Sequence, residues 1–245
     1  MIRLENLVKR YGPITALSDL SLSVAAGEIF GFIGPNGAGK TTTIRIIGGL
    51  MAPSSGTVWI DGISMAKEPA RAKAKIGFVP DRPFLYEKLT GYEFLEFTAD
   101  LYEIPRVDLA ERAERLLALF SLSDWGDELI EAYSHGMKQR LIMASALIHD
   151  PKVLVVDEPM VGLDPRAIRL VKDLFRDLAE KGTALFLSTH TLEVAQDICH
   201  KIGVIHRGKV IAEGTFSDLK TKAHVTEVDL EEVFLKLTEE GPEAA

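Results

Sequence analysis

The chain has 245 residues, 47% of them hydrophobic and 26% charged, enough to close a sizeable core in one large or two small domains. A net charge of −8 without a long Lys/Arg run speaks against a nucleic-acid partner, and a single cysteine, Cys199, excludes an internal disulfide framework and fits a reducing compartment. Glu5 interrupts the stretch where a secretory leader would be apolar, and no later apolar run approaches the about 18 residues of a membrane span, so a cytoplasmic chain is expected, reaching a membrane only through a partner.

From the N-terminus, Ile2 to Val8 alternates loosely and reads as a strand, followed by a turn at Lys9-Arg10-Tyr11-Gly12-Pro13. Tyr11 suits either stacking on a flat ring or a half-buried loop position. Leu17, Leu20, Leu22 and Val24 mark a second strand, so two antiparallel strands precede the apolar run Ile29 to Ile33.

That run opens into Gly34-Pro35-Asn36-Gly37-Ala38-Gly39-Lys40-Thr41-Thr42, which fits the phosphate-loop pattern G-x-x-x-x-G-K-[ST] in its strand, loop, helix context. Glycines at 34, 37 and 39 can take positive φ and carry no Cβ, so successive N–H groups can curl around an anion at a helix N-terminus. Lys40 is then expected to reach the β- and γ-phosphates, and the Thr41 hydroxyl to hold Mg²⁺.

Beyond the loop helix, Thr57 to Gly62 reads as a strand ending in a tight turn, and Lys75 to Val79 as another, closed by Pro80-Asp81-Arg82-Pro83. From Thr90 to about Leu147 the pattern is helical, with Asp108 a candidate N-cap for a helix whose Leu109, Ala113, Leu116, Leu117 and Phe120 share one face. Val153 to Asp157-Glu158 is a fully apolar run ending in two acids, the pattern of a buried parallel strand whose C-terminal end opens on a site. A helix Pro165 to Lys181, a strand Ala184 to Leu187 ending in Ser188-Thr189-His190, a hairpin over 202–213, and helices over 216–222 and 230–237 behind Asp229 complete the chain, with residues 239–245 a frayed tail. Strand alternating with helix implies a parallel sheet.

Phosphoryl transfer needs a second acid for the metal and a group to orient the attacking water, and Asp157 and Glu158 supply both: Asp157 toward Mg²⁺, Glu158 as general base. His190, at another strand's end, suits a donor to the γ-phosphate. Cys199-His200 and His206 lack the spacing for a tetrahedral metal site.

The order of these motifs, with Pro159, Gly162-Leu163-Asp164-Pro165 and Ser188-Thr189-His190, resembles the ATP-binding subunit of an ABC transporter over almost the whole chain. The resemblance implies an α/β fold of the phosphate-loop ATPase type, a mixed sheet with an N-terminal antiparallel part and an inserted helical subdomain. It implies one ATPase domain: residues 1–82 and 150–224 as nucleotide-binding core, 83–149 as the helical subdomain and 225–245 as a C-terminal helix and tail. The cofactors would be ATP and Mg²⁺. Tyr11 would stack on adenine, Asp164 would be the acid of the D-loop, His190 the switch histidine, and Tyr133-Ser134-His135-Gly136-Met137 the signature, where only Ser134 and Gly136 match the usual Leu-Ser-Gly-Gly-Gln. Asp81 stands where the family usually has a glutamine that contacts the metal. These departures, with the segment Pro83 to Gly91 and the tail Glu231-Glu232-Val233-Phe234, resemble the bacterial branch that exports drugs, lipids or polysaccharides. By that resemblance two such chains, as a homodimer or with a degenerate second cassette, close head to tail on two ATP and drive a separate transmembrane permease. Import, and a soluble non-transport ATPase, are the alternatives.

Overall fold

The computed structural model describes residues 1–82, 84–223, 225 and 229–239. Pro83 lies outside the described residues; of the tail over 239–245 that the sequence marks as frayed, Glu239 ends the last helix and residues 240–245 lie outside the described residues.

Two sheets form the frame. β1 (Ile2–Tyr11), β2 (Ile14–Val24), β4 (Ser55–Ile60) and the short β5 (Ile63–Ser64) make an antiparallel sheet in the order β2-β1-β4-β5. β3 (Ile29–Ile33), β6 (Ile76–Val79), β7 (Val153–Asp157), β8 (Ala184–Ser188), β9 (Lys201–His206) and β10 (Lys209–Gly214) make a second, ordered β10-β9-β3-β8-β7-β6. Its strands run parallel except β10, which returns as a hairpin on β9.

The unbroken apolar runs are buried on both faces, and the two-residue period of a strand sorts their side chains. Phe30, Phe32, Val153, Val155 and Phe186 point toward the antiparallel sheet and helix α1 (Lys40–Ile47). The Phe186 ring stacks on Phe30 at 5.6 Å and tilts against Phe32 at 5.3 Å. Ile29, Leu154, Val156, Leu185 and Leu187 point the other way, into a cluster covered by α3 (Gly91–Leu101), α4 (Arg106–Leu119), α5 (His135–Leu147) and α6 (Pro165–Glu180). A third cluster packs Ile33, Ile202 and Val204 beneath α7 (Leu192–Ile198), α8 (Phe216–Lys222) and α9 (Leu230–Glu239). A short helix α2 (Pro69–Lys73) precedes β6.

The helical stretch thus resolves into α3, α4 and α5, with two 3₁₀ turns, Ser123–Trp125 and Ile130–Ala132, between the last two. Asp108 is not the N-cap of α4. Pro105 occupies that position at φ −58, the helix begins at Arg106, and Asp108 sits in the first turn, where its charge still complements the helix dipole. Leu109, Ala113, Leu116, Leu117 and Phe120 are buried together, as their spacing predicts. Asp229 caps α9, its Oδ1 accepting the Glu232 N–H at 3.0 Å.

Candidate functional site

The C-terminal ends of β3, β7 and β8 open onto one cleft of about 910 Å³. Its lining includes Pro35, Asn36, Gly37, Gly39, Lys40, Thr41 and Thr42 from the glycine loop, Asp81, Asp157, Glu158 and His190. Residues from four separate parts of the sequence, the glycine loop, Asp81, Asp157-Glu158 and His190, meet there because parallel strands place their C-terminal ends along one edge.

The loop's glycines are needed for two different reasons. Gly37 and Gly39 take positive φ, +78 and +113, where a side chain would be strained. Gly34 does not; a Cβ there would lie 2.3 Å from the Ile205 carbonyl oxygen, so the loop's seat against β9 requires its bare backbone. Gly39 is the N-cap of α1 and offers no side-chain acceptor, so the first N–H groups of that helix face the cleft unclaimed. Lys40 Nζ donates to the carbonyl oxygens of Gly34, at 2.6 Å, and Pro35, at 3.2 Å. Burial pulls its pKa below the ordinary lysine value, opposed by the charges of Glu158 and Asp157.

Asp157 ends β7 in register with Ser188 of β8, whose hydroxyl donates to its Oδ1. Burial raises the Asp157 pKa; the Ser188 hydrogen bond works against this, while Asp81 and Glu158 reinforce it. Glu158 leaves the strand at φ +52, its N–H bound to the Ser188 carbonyl at 3.0 Å. That turn directs its carboxylate to the same cleft as Asp157, although strand neighbours ordinarily point apart. His190 Nδ1 donates to Glu158 Oε2 at 2.8 Å, and the His190 backbone N–H adds a longer bond at 3.3 Å.

Ser188 is the participant whose part the residue pattern did not disclose, since its bond to Asp157 depends on the register of β7 on β8. Arg45, one turn beyond Thr41 on α1, and Arg82 also line the cleft.

Other candidates stand elsewhere. Tyr11 is 44% exposed at the end of β1, its hydroxyl on Met51 Sδ at 2.9 Å and its ring under Lys9, outside the cleft lining. Ser134 caps α5, accepting the Met137 N–H at 3.3 Å, with Gly136 in that helix's first turn. Asp164 caps α6, accepting the Arg166 and Ala167 N–H groups at 2.9 Å each; these bonds, Ala167's first, hold its carboxyl below the usual range. Cys199 is half-buried against Gly31, and His200 Nδ1 accepts the Ile29 N–H at 2.9 Å.

Among the described residues no three His, Cys, Asp or Glu are arranged to hold a metal ion. Oxygen donors at Thr41 and Asp157 suit Mg²⁺, which binds through one or two protein oxygens together with substrate phosphates. Among the same residues no helix is long and apolar enough to cross a membrane.

The ABC transporter family model matches residues 17–161. The chain is 39% identical over 219 residues to the linearmycin resistance ATP-binding protein LnrL of Bacillus subtilis (strain 168), covering 89% of this chain and 70% of that protein. It is 38% identical over 234 residues to the Nod factor export ATP-binding protein I of Ralstonia nicotianae (strain ATCC BAA-1114 / GMI1000), covering 96% and 72%. A solved ATP-binding subunit of an ABC transporter superposes with a TM-score of 0.92 at 33% identity, covering 97% of this chain and 99% of that one. An ATP-binding cassette solved as a dimer in a post-hydrolysis state, bound to ADP and Pi, gives 0.78 at 29% identity over 88% of this chain and 98% of that one. The sequence match covers more than half of the chain and the fold is shared along nearly all of it, so this chain belongs to the ABC transporter family, among its ATP-binding subunits.

Proposed function

We propose that this chain hydrolyses ATP, with Mg²⁺, to drive export through a separate transmembrane permease. One observation carries the hydrolytic reading: Asp157 and Glu158, adjacent at the end of β7, share one cleft with Lys40 and Thr41. In this reading the glycine loop's N–H groups and Lys40 hold the phosphates, and Thr41 and Asp157 face the metal. Mg²⁺ supplies charge neutralisation at the β- and γ-phosphates. Glu158 takes the proton of the attacking water, oriented by His190, and Asp81 adds a carboxylate at the rim.

Residues 1–82 and 150–224 would act as the nucleotide-binding core, 83–149 as the helical subdomain and 225–245 as a C-terminal helix and tail. Tyr11 would meet the adenine ring at the outer edge. Ser134, Gly136 and Asp164 lie outside the chain's own cleft, which suits a head-to-tail pair in which they face the other subunit's nucleotide. The dimer seen in a related cassette and the export named for a relative support this arrangement. The exposed aromatics Phe84, Tyr86 and Phe97, stacked edge to face at 6.0 and 5.2 Å, form the surface suited to the permease, holding the chain at the cytoplasmic membrane face.

The test is Glu158→Gln. Hydrolysis should fall by roughly 10²–10⁴-fold, the contribution of a general base, with ATP binding intact. Normal turnover would end the assignment. The same variant, tagged and recovered from detergent-solubilised membranes with Mg-ATP, should bring down a polytopic membrane protein; recovery of soluble partners alone would reject the transporter reading.

A further inference from the structure

A second cavity, of about 820 Å³, opens at the other end of the parallel sheet from the nucleotide cleft. Pro151 and Lys152 lead into β7 there, and Lys181, Gly182 and Thr183 lead into β8. It thus lies at the N-terminal ends of the two strands whose C-terminal ends carry Asp157 and Ser188. The length of β7, at about 3.3 Å per residue, keeps the two sites roughly 13 Å apart or more. The volume falls within the roughly 300–1,000 Å³ of small-molecule sites.

Two sides of the cavity are apolar. Leu116 and Leu119 come from α4 and Leu147 from the end of α5, while Leu174 and Leu178, one turn apart on α6, stand with them. Leu116, Leu147 and Leu174 are buried, and Leu119 is 41% exposed at the rim. The lining holds no aromatic ring among the described residues, so it offers dispersion contact along an aliphatic chain rather than a face on which a ring would stack.

The polar groups that lack partners gather at one corner. Lys152 and Thr183 directly precede Val153 and Ala184, which pair across β7 and β8, and the Ala184 N–H donates to the Lys152 carbonyl at 3.0 Å. Lys181 is the C-cap of α6, two residues before Thr183. Neither lysine makes an ion pair among the described residues. Thr183 is nine-tenths buried; its N–H donates to the Leu178 carbonyl at 3.0 Å, but its hydroxyl has no hydrogen-bond partner among the described residues. A buried hydroxyl without a partner is costly, and a bound acceptor removes that cost. Elsewhere on the rim Arg112 and Arg115 both reach Asp150, at 2.5 and 3.9 Å. Adding Lys152 and Lys181 against Asp61 and Asp177 leaves an excess of one positive charge around the cavity, in a chain of net −8. A single carboxylate neutralises it.

We propose that this cavity binds a single-chain aliphatic carboxylate, its chain between the leucines of α4, α5 and α6 and its head group on Lys152, Lys181 and the Thr183 hydroxyl. The site shares no residue with the nucleotide cleft and stands apart from the hydrolytic reading.

The experiment titrates the full chain with sodium dodecanoate, below its micelle-forming concentration, by calorimetry, with dodecyltrimethylammonium as the cationic counterpart of equal chain length. Wild type should bind one dodecanoate per chain, saturably, and the ammonium compound about tenfold more weakly or worse. Lys152→Gln combined with Lys181→Gln, both at exposed positions, should lower dodecanoate affinity by roughly 10–100-fold, the value of hydrogen bonds to a charged group. Thr183→Val, which keeps the shape and removes the hydroxyl, should lower it about threefold. Leu119→Trp should fill the rim and abolish binding; if it fails to fold, the lysine pair decides alone. A saturating non-hydrolysable ATP analogue should leave dodecanoate affinity unchanged, as sites at opposite ends of the sheet require. Absence of saturable binding, equal affinity for the two head groups, competition with the ATP analogue, or full affinity in the double lysine variant overturns the proposal.

Discussion

The N-termini of α1 and α3 face the same problem, four backbone N–H groups without helical partners, and solve it in opposite ways. At α3, Thr90 Oγ1 accepts the Glu93 N–H at 3.2 Å while Glu93 Oε2 accepts the Thr90 N–H at 2.8 Å, a closed capping box. At α1, Gly39 stands as N-cap with no side-chain acceptor, no acid follows in the first turn, and Lys40 adds a positive charge. A helix end that completes itself stabilises the fold; one left open behind a glycine gives up a few tenths of a kcal/mol of capping and gains a place for an anion.

Gly39→Ala tests that difference most severely. The new methyl would lie 2.7 Å from Leu17 Cδ2 and 2.9 Å from the Ala16 carbonyl oxygen, at a φ that alanine resists. A loss of roughly 2–4 kcal/mol in denaturant unfolding is expected, strain and overpacking together. At Gly37 the same change meets nothing within 4 Å and bears only the cost of φ +78, so roughly 1–2 kcal/mol is expected. Equal losses at the two sites would mean that packing against β2 does not shape the loop. Lys40→Ala should leave stability close to wild type and weaken ATP binding by roughly 10–100-fold, the value of hydrogen bonds to a charged group, in a calorimetric titration. Unchanged affinity would remove the open helix end from the binding site.

How much of this was legible before the fold depended on the range of the interaction. The glycine loop and the acid pair were readable because each is local: positive φ at 37 and 39, a Lys-Thr at a helix start, two acids ending an apolar strand. The parallel sheet followed from the same short-range alternation. The reason for glycine at 34 was not readable, since its neighbour Ile205 lies far along the chain on β9. Nor was the Ser188 bond to Asp157, which exists only through the register of β7 on β8. Asp108 was misplaced because an acid near a helix start suits both the N-cap and the first turn, and the fixed φ of Pro105 decided between them.

The far end of α3 sharpens the contrast, because it too is closed from within. Tyr102, its C-cap, stacks on His149 with ring centroids 3.6 Å apart, and His149 Nε2 bonds the Ile76 carbonyl at 3.1 Å. Burial lowers the His149 pKa from 6.5 to about 4, against the Ile76 bond and the Asp150 charge, which raise it. Above pH 6.5 both folded and unfolded chains hold a neutral ring and the group contributes no pH dependence. Between 6.5 and about 4 the unfolded chain takes up a proton that the folded chain refuses, so stability falls with pH across that window and levels off below it. His149→Phe keeps the stack and cannot titrate; urea unfolding at several pH values should show its slope flattened there relative to wild type. An unaltered slope would mean that His149 is as solvated in the folded chain as in the unfolded one.

The smallest effect separates α3 from α5, whose start lies between the two extremes. Thr90→Ala opens the capping box and should cost about 1 kcal/mol, read by thermal unfolding, with no change in ATP hydrolysis. Ser134 makes one long cap bond, 3.3 Å to the Met137 N–H, and its residue is exposed. Ser134→Ala should therefore cost less stability than Thr90→Ala while lowering the hydrolysis rate, because in the proposed pair its hydroxyl faces the other subunit's phosphate. If the two variants differ only in melting temperature, the start of α5 is a structural cap like that of α3, and α1 alone among these three helices is built to receive an anion.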